Sequence, residues 1–293
     1  MGGMDQLPVV YCLDDKFAAH CAACIASVLK NLSDQYLPRI YVITDSLSAD
    51  NRRKIQETTK IRDCSLDFID IDPAHNEFKD FKIPAPWSHS IFYRLKIPSL
   101  LEKHSKAIYL DSDTILTADI SELFNLDISN YLLAAYDESR NDPPITAYFQ
   151  SKKLNLPTEI GYFNTGVLLL NLEEMRKKEV AQKCLDLLKS DLHPSLSFPD
   201  QDVLNIVVNG NYLRLPKTWN TQQIFGTKPP FWRKFFPFVH GYTDLPKIIH
   251  FSGPMKPWKS KKESEHWLNV SGKVPYSKQY FKYLAYTPWG KHK

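Results

Sequence analysis

Three short apolar runs near the start of the chain, 8–13 (PVVYCL), 39–44 (RIYVIT) and 65–71 (SLDFIDI), are separated by two stretches of helical character, 17–31 and 48–60. Strands spaced by helices of this length pair through βαβ crossovers, so the rhythm predicts an α/β chain on a mixed, mainly parallel sheet. In such sheets ligands sit beyond the carboxyl ends of the strands. The residues just after each apolar run therefore matter most. The alternation continues with a helix over 90–103, a strand over 106–110 (KAIYL) and another over 131–136 (YLLAAY) ending on Asp137. A buried strand over 163–171 (FNTGVLLLN), a helical stretch over 172–190 and a helix from Asp200 to about 209 follow. The stretches 72–89 and 138–160 read as loops, and beyond Trp219 prolines and aromatics displace any long periodic element.

Composition narrows the classes. With 293 residues, 43% of them hydrophobic, the chain can build a sizeable core. A net charge of +4 is too small to argue for a nucleic-acid partner. The charge is uneven: from Lys256 to Lys293 nine lysines stand against two glutamates. These lysines are interleaved with Trp258, Trp267, Tyr276, Tyr280, Phe281, Tyr283, Tyr286 and Trp289. Such a tail suits peripheral contact with an anionic membrane, or else packs its rings on the main domain. Five cysteines make a poor disulfide framework. Cys21-Ala-Ala-Cys24 has zinc-like spacing but no second pair to complete a site, which favours small residues packing a helix face. No run approaches the ~20 apolar residues that span a bilayer, and no charged-then-apolar leader opens the chain. A cytoplasmic protein is expected, with the inner face of the cytoplasmic membrane as the surface its tail would meet.

The most informative motif is Asp111-Ser112-Asp113, set directly after the strand KAIYL. Two carboxylates one residue apart at a strand mouth can hold one hard cation while diphosphate oxygens fill its remaining positions. Such a cation neutralises the charge that develops on a diphosphate leaving group. The competing reading is an aspartate cluster capping a turn.

At this point the chain resembles glycosyltransferase family 8, which includes bacterial lipopolysaccharide glucosyl- and galactosyltransferases and glycogenins. The resemblance runs from about residue 8 to 258 and rests on ordered blocks: VVYCLDDKF at 9–17, FYRLKIPSLL at 92–101, IYLDSDT at 108–114, YFNTGVLLLNL at 162–172, DQDVLN at 200–205 and HFSGPMKPW at 250–258. It implies a GT-A (Rossmann-like) nucleotide-sugar domain over 5–258 and a small basic, aromatic C-terminal extension over 259–293. It further implies transfer of a hexose, galactose or glucose, from a UDP-sugar with retention of configuration, usually with Mn²⁺. The acceptor class it suggests is lipopolysaccharide or another surface glycan.

Residue by residue, the resemblance places Cys12, Leu13, Asp14 and Phe17 against uracil and ribose, with Lys16 standing where many relatives have Asn. It puts Arg94 at the sugar or diphosphate, and Asp111, Ser112 and Asp113 at the diphosphate. Asp111, Asp113 and His250 would hold the metal. Asp137, Asn164, Thr165, Asp200 and Gln201 would surround the hexose, and Gly253 and Lys256 would close on the diphosphate. The residues' own chemistry agrees in part. Asp14 at a strand end suits a ribose hydroxyl, or a helix N-cap. One imidazole beside two carboxylates suits Mn²⁺ better than Mg²⁺. Gly253 permits close backbone approach and Lys256 offers a point charge. Asp200 and Gln201 could instead be the polar first turn of a helix. Gln201 is a poor nucleophile, so the expected mechanism is a front-face substitution in which the departing phosphate takes the acceptor's proton. The alternatives are a glycogenin-like protein-modifying enzyme, a non-catalytic nucleotide-binding protein on this fold, and a nucleotidyltransferase.

Overall fold

The first strand shows how the sheet is built. Along β1, Leu7, Val9 and Tyr11 join the core on one face of the sheet, while Val10 and Cys12 join the core on the other. The period of two thus feeds both faces, as a strand covered on both sides requires. In the computed structural model, which describes residues 5–83, 87–140, 150–222, 245–253, 256–259 and 274–290, ten strands are seen. They are β1 (Asp5–Cys12), β2 (Tyr36–Thr44), β3 (Ser65–Asp70), β4 (Lys106–Leu110), β5 (Thr114–Leu116), β6 (Leu133–Asp137), β7 (Phe163–Asn171), β8 (Tyr212–Leu215), β9 (Thr221–Gln222) and β10 (Ile248–His250). Seven form one sheet in the order β3-β2-β1-β4-β7-β6-β8, parallel except where β7 runs against both β4 and β6. The mixed, mainly parallel sheet expected of the sequence is what forms.

A second, three-stranded sheet, β5-β10-β9, stands beside the carboxyl end of β4. β5 leaves that end immediately after Asp113, and β10 pairs antiparallel with it, setting His250 opposite Thr114. This pairing brings a far downstream segment to the aspartate motif.

Helix α1 (Ala18–Asn31) is buried almost all round, which its small residues Ala22, Ala23 and Ala26 permit. Cys21 and Cys24 lie on it as buried free thiols, so their spacing serves packing. α2 (Ala49–Thr58) is opened by Ser48, whose hydroxyl accepts from the Asn51 N–H at 3.4 Å. Two expected helices differ in detail. The 90–103 stretch is a 3₁₀ helix, His89–Lys96, followed by one α turn, Ile97–Leu100. Pro98 sits in that first turn, where its missing N–H costs nothing. The 172–190 stretch breaks into Leu172–Lys177 and Val180–Lys189, because Glu179 takes a left-handed backbone (φ 54°).

A C-terminal helix, Ser277–Leu284, was not expected from the periodicity. It buries Tyr280, Tyr283 and Leu284 at i, i+3 and i+4 spacing against α1. His20 of α1 shares a 2.7 Å hydrogen bond with the Tyr280 hydroxyl and stacks on Trp258 at 3.6 Å between ring centroids. Asn31 donates to the Tyr283 hydroxyl at 2.9 Å. Several tail aromatics therefore pack inward, while Phe281 and Tyr286 stay exposed beside Lys278 and Lys282. Trp267 lies outside the described residues. Among the described residues no helix is long and apolar enough to cross a membrane.

Candidate active site

The site forms where β4, β7 and the second sheet meet. Asp111 follows β4, and its backbone N–H donates to the Gly166 carbonyl of β7 at 2.8 Å. One carboxylate oxygen of Asp111 is fixed by the Tyr109 hydroxyl at 2.6 Å and by Arg94 Nη2 at 2.9 Å. Its other oxygen, Oδ2, lies 3.6 Å from His250 Nε2, and Asp113 Oδ1 lies 3.2 Å from the same nitrogen. The three side chains bring their ligand atoms within 4.8 Å of one another.

The hydrogen bonds around His250 give this convergence its meaning. Nδ1 faces the Asn220 side-chain oxygen at 3.0 Å, while Asn220 Nδ2 donates to Asn164 Oδ1 at 2.8 Å. That arrangement assigns the proton to Nδ1 and leaves a lone pair on Nε2, pointed at two carboxylates. Asp113 Oδ1 is buried and accepts no hydrogen bond. Three acceptors facing one point with no donor between them suit a divalent cation, and the mixed oxygen and nitrogen donors fit one of the transition series. Burial alone would push the Asp113 carboxyl up, but the Lys256 ammonium beside it holds it well below the usual carboxylate range. Lys256 itself bonds to Asp113 Oδ2 and to the Phe251 carbonyl.

Beside this cluster lies a buried polar layer. Arg94, on the 3₁₀ helix, donates to the Thr165 carbonyl and hydroxyl, both at 3.0 Å, and its Nε sits 3.2 Å from Asp200. Burial raises the Asp200 carboxyl, with Arg94 opposing and Asp111 adding to the rise. Helix Pro199–Val208 presents Asp200 and Gln201 from its first turn. Gln201 Oε1 accepts from Asn164 Nδ2 and from the Thr165 N–H, both at 3.1 Å. Its Nε2 faces Glu138 at 3.4 Å.

The pattern of Glycosyl transferase family 8 matches residues 8–262. The chain belongs to that family. General stress protein A of Bacillus subtilis is 28% identical over 288 residues, covering 96% of this chain and 94% of that protein. The lipopolysaccharide 1,3-galactosyltransferase of Salmonella typhimurium is 25% identical over 291 residues, covering 97% and 80%. Among solved structures, the bifunctional glycosyltransferase WbbM superposes with a TM-score of 0.77 at 25% identity, over 99% of this chain and 51% of its own. The galactosyltransferase LgtC, solved with donor and acceptor sugar analogs, gives 0.74 at 20% identity over 96% of each chain, a likeness of fold. The fold of this family 8 chain is GT-A.

Cys12 and Leu13 end β1 and are buried, and Ser112 is buried between the two metal-facing aspartates. Asp14 caps the 3₁₀ turn Asp15–Phe17, accepting from the Lys16 N–H at 3.0 Å, rather than the helix α1 that follows, whose N-cap is Phe17. Phe17 packs edge-on against His20. Gly253 has φ +81°, which glycine adopts readily. Asp137 is turned from the cluster: its carboxylate pairs with Arg214 at 3.0 Å and accepts from Ser139 and from the Tyr162 N–H. Three contributors escaped the sequence reading. Asn220 and Glu138 belong to no motif, although Glu138 directly follows a strand end. Gly166 was read only as a strand glycine, yet a Cβ there would meet His250 Cε1 at 2.2 Å and Asp111 Oδ2 at 2.7 Å.

Proposed function

We propose that this family 8 glycosyltransferase is a retaining, divalent-metal-dependent hexosyltransferase. It takes galactose or glucose from a UDP-sugar and passes it to a hydroxyl of a glycan acceptor, lipopolysaccharide or another surface glycan. The observation that carries the reading is the convergence of Asp111, Asp113 and the unprotonated Nε2 of His250 at one buried point. What a cation, Mn²⁺ by donor type, supplies there is neutralisation of the charge leaving with UDP. The acceptor class rests on the names of relatives such as the Salmonella galactosyltransferase.

The chain's own residues divide the remaining work. Asp111, Asp113 and His250 hold the metal, and Lys256, already beside Asp113, turns to the diphosphate over the loop that Gly253 bends. Cys12, Leu13, Asp14 and Phe17 border the uridine at the carboxyl end of β1. Arg94 ties Asp111, Thr165 and Asp200 into one rigid unit, so the groups lining the hexose keep their places. Both lone pairs of Gln201 Oε1 are occupied by Asn164 and Thr165, leaving none for a covalent sugar intermediate. This favours substitution on one face. The bond from the anomeric carbon to the phosphate oxygen breaks as the acceptor oxygen bonds to that carbon from the same side. The acceptor's proton passes to the departing phosphate.

Peripheral membrane contact through the tail fits a lipid-linked acceptor. The outward face of helix Ser277–Leu284 offers Lys278, Phe281 and Lys282, with Tyr286 just beyond, a small patch suited to weak and reversible contact. The test of the main reading is UDP release from a panel of UDP-hexoses. Release should require Mn²⁺ or a similar cation, and Asp113→Asn should lose roughly 100-fold or more. Full activity in excess chelator overturns it.

A further inference from the structure

Six carboxylates gather around the site, and five face a cation or are held by backbone donors. Asp111 and Asp200 face Arg94, Asp113 faces Lys256, and Asp137 faces Arg214. Asp202 accepts from the Tyr162 hydroxyl at 2.6 Å, from Gln150 at 2.7 Å, and from the N–H groups of Ser197 and Phe198. Glu138 has neither a cation nor the backbone N–H donors that hold Asp202. Its partners are the neutral amides of Gln222 and Gln201, and among the described side chains no Lys or Arg stands against it.

The backbone aims it there. β6 and β7 lose register between Ala135 and Asp137, and the Glu138 N–H resumes pairing with the Tyr162 carbonyl at 2.8 Å. Such a bulge re-aims side chains at the end of a strand. Here it gives Asp137 to Arg214 and turns Glu138 toward Gln201, on the same side as His250. A half-buried anion without a counter-charge is costly to keep. Burial raises the Glu138 carboxyl, while the hydrogen bonds it accepts from Gln222 and the nearby amides pull it back. Glycosyl transfer passes through a state in which positive charge gathers on the sugar ring.

We propose that Glu138 is a catalytic carboxylate that faces the transferred hexose and stabilises the positive charge developing on its ring as the bond to phosphate breaks. This rests on the function proposed above and deepens it. An uncompensated negative charge is idle in the resting site and is answered only in the transition state, which is how an electrostatic group accelerates a step without tightening ground-state binding. It also leaves Gln201 a placing role, its amide held by Asn164 and Thr165 at one end and Glu138 at the other.

Glu138→Gln keeps the shape and removes the charge. Slow hydrolysis of the UDP-hexose the wild-type chain accepts should fall about 100-fold in kcat. KM for that donor and Kd for UDP with Mn²⁺ should stay within about threefold, because uniform binding is untouched. The double variant Glu138→Gln, Gln222→Glu moves the negative charge across the same hydrogen bond and should recover about tenfold in kcat over the single variant. Undiminished hydrolysis by Glu138→Gln overturns the proposal. So does a loss that tracks weakened UDP binding and a lowered melting temperature, or a double variant no faster than the single one. A wild-type chain that neither binds UDP nor releases it from any UDP-hexose overturns the functional reading itself, and this proposal with it.

Discussion

Replacing Gly166 by alanine tests the geometry of the metal site with the smallest change available. Gly166 lies in β7 outside the left-handed region, so alanine meets no backbone penalty there. Reduced freedom of the unfolded chain would even favour the variant by about 0.4–1 kcal/mol if space allowed. Space does not allow it. The added Cβ would stand 2.2 Å from His250 Cε1 and 2.7 Å from Asp111 Oδ2. Ordinary contact begins near 3.4 Å, so the imidazole must retreat by more than about 1 Å. His250 is buried and pinned through Nδ1 to Asn220, so its retreat breaks that bond or moves Nε2 off the two carboxylates. A displacement of ~1 Å at a reacting centre costs on the order of 100-fold in rate. Titration calorimetry with Mn²⁺ should show weaker binding by about 10- to 100-fold, the scale for disturbed ligand orientation. The thermal midpoint should move far less than the affinity, since the clash is confined to the ligands. Gly166→Ala with wild-type Mn²⁺ affinity and rate would refute the assignment of His250 as a ligand.

Other outcomes follow from the same structure. The linkage formed from an α-linked donor should be α, and a β anomeric coupling in the product's proton spectrum would overturn the front-face mechanism. His20, half-buried between Trp258 and Tyr280, has its pKa lowered by desolvation to about 4 from 6.5. The unfolded chain therefore takes up a proton first as pH falls, and stability should drop between about pH 6.5 and 4 by up to ~3 kcal/mol. Urea unfolding of His20→Phe should show a flatter fall over that range, and an unchanged pH profile would exclude His20 as the cause. Pelleting with anionic vesicles should be weak and salt-sensitive, and should diminish in a Lys278→Ala, Lys282→Ala variant. Equal pelleting with neutral vesicles would leave the tail a purely structural element.

What could be read from the sequence, and what could not, divides along physical lines. β1, β2, β4 and β7 announce themselves because strands buried on both faces must be apolar throughout. β5 and β9 have three and two residues, too few to carry a period, and exist because β10 lies between them. The Ser277–Leu284 helix was hidden because its buried face is largely tyrosine set among lysines, which reads as a polar tail until α1 is there to receive it. In the site, Asp111 and Asp113 were legible as a local motif, and His250 through the block around it. Asn220 and Glu138 were not, since each acts on a neighbour brought to it by the fold and leaves no spacing behind. Asp137 was legible as a strand-end carboxylate, but its partner Arg214 comes from β8, which the sequence did not reveal.

The pairing of β10 with β5 bears on when the protein becomes competent as it is synthesised. Asp111 and Asp113 emerge with the first sheet, whereas His250 follows only after β6, β7, β8 and β9 have been made. The intervening loop is long, and its closing entropy must be met before the two short strands return any free energy. The nascent protein thus holds an open carboxylate pair that lacks its imidazole until β10 threads alongside β5. A metal caught there binds the folded state alone and adds its affinity to that state's stability. Ion capture would then act as the latch on the pairing of β10 with β5.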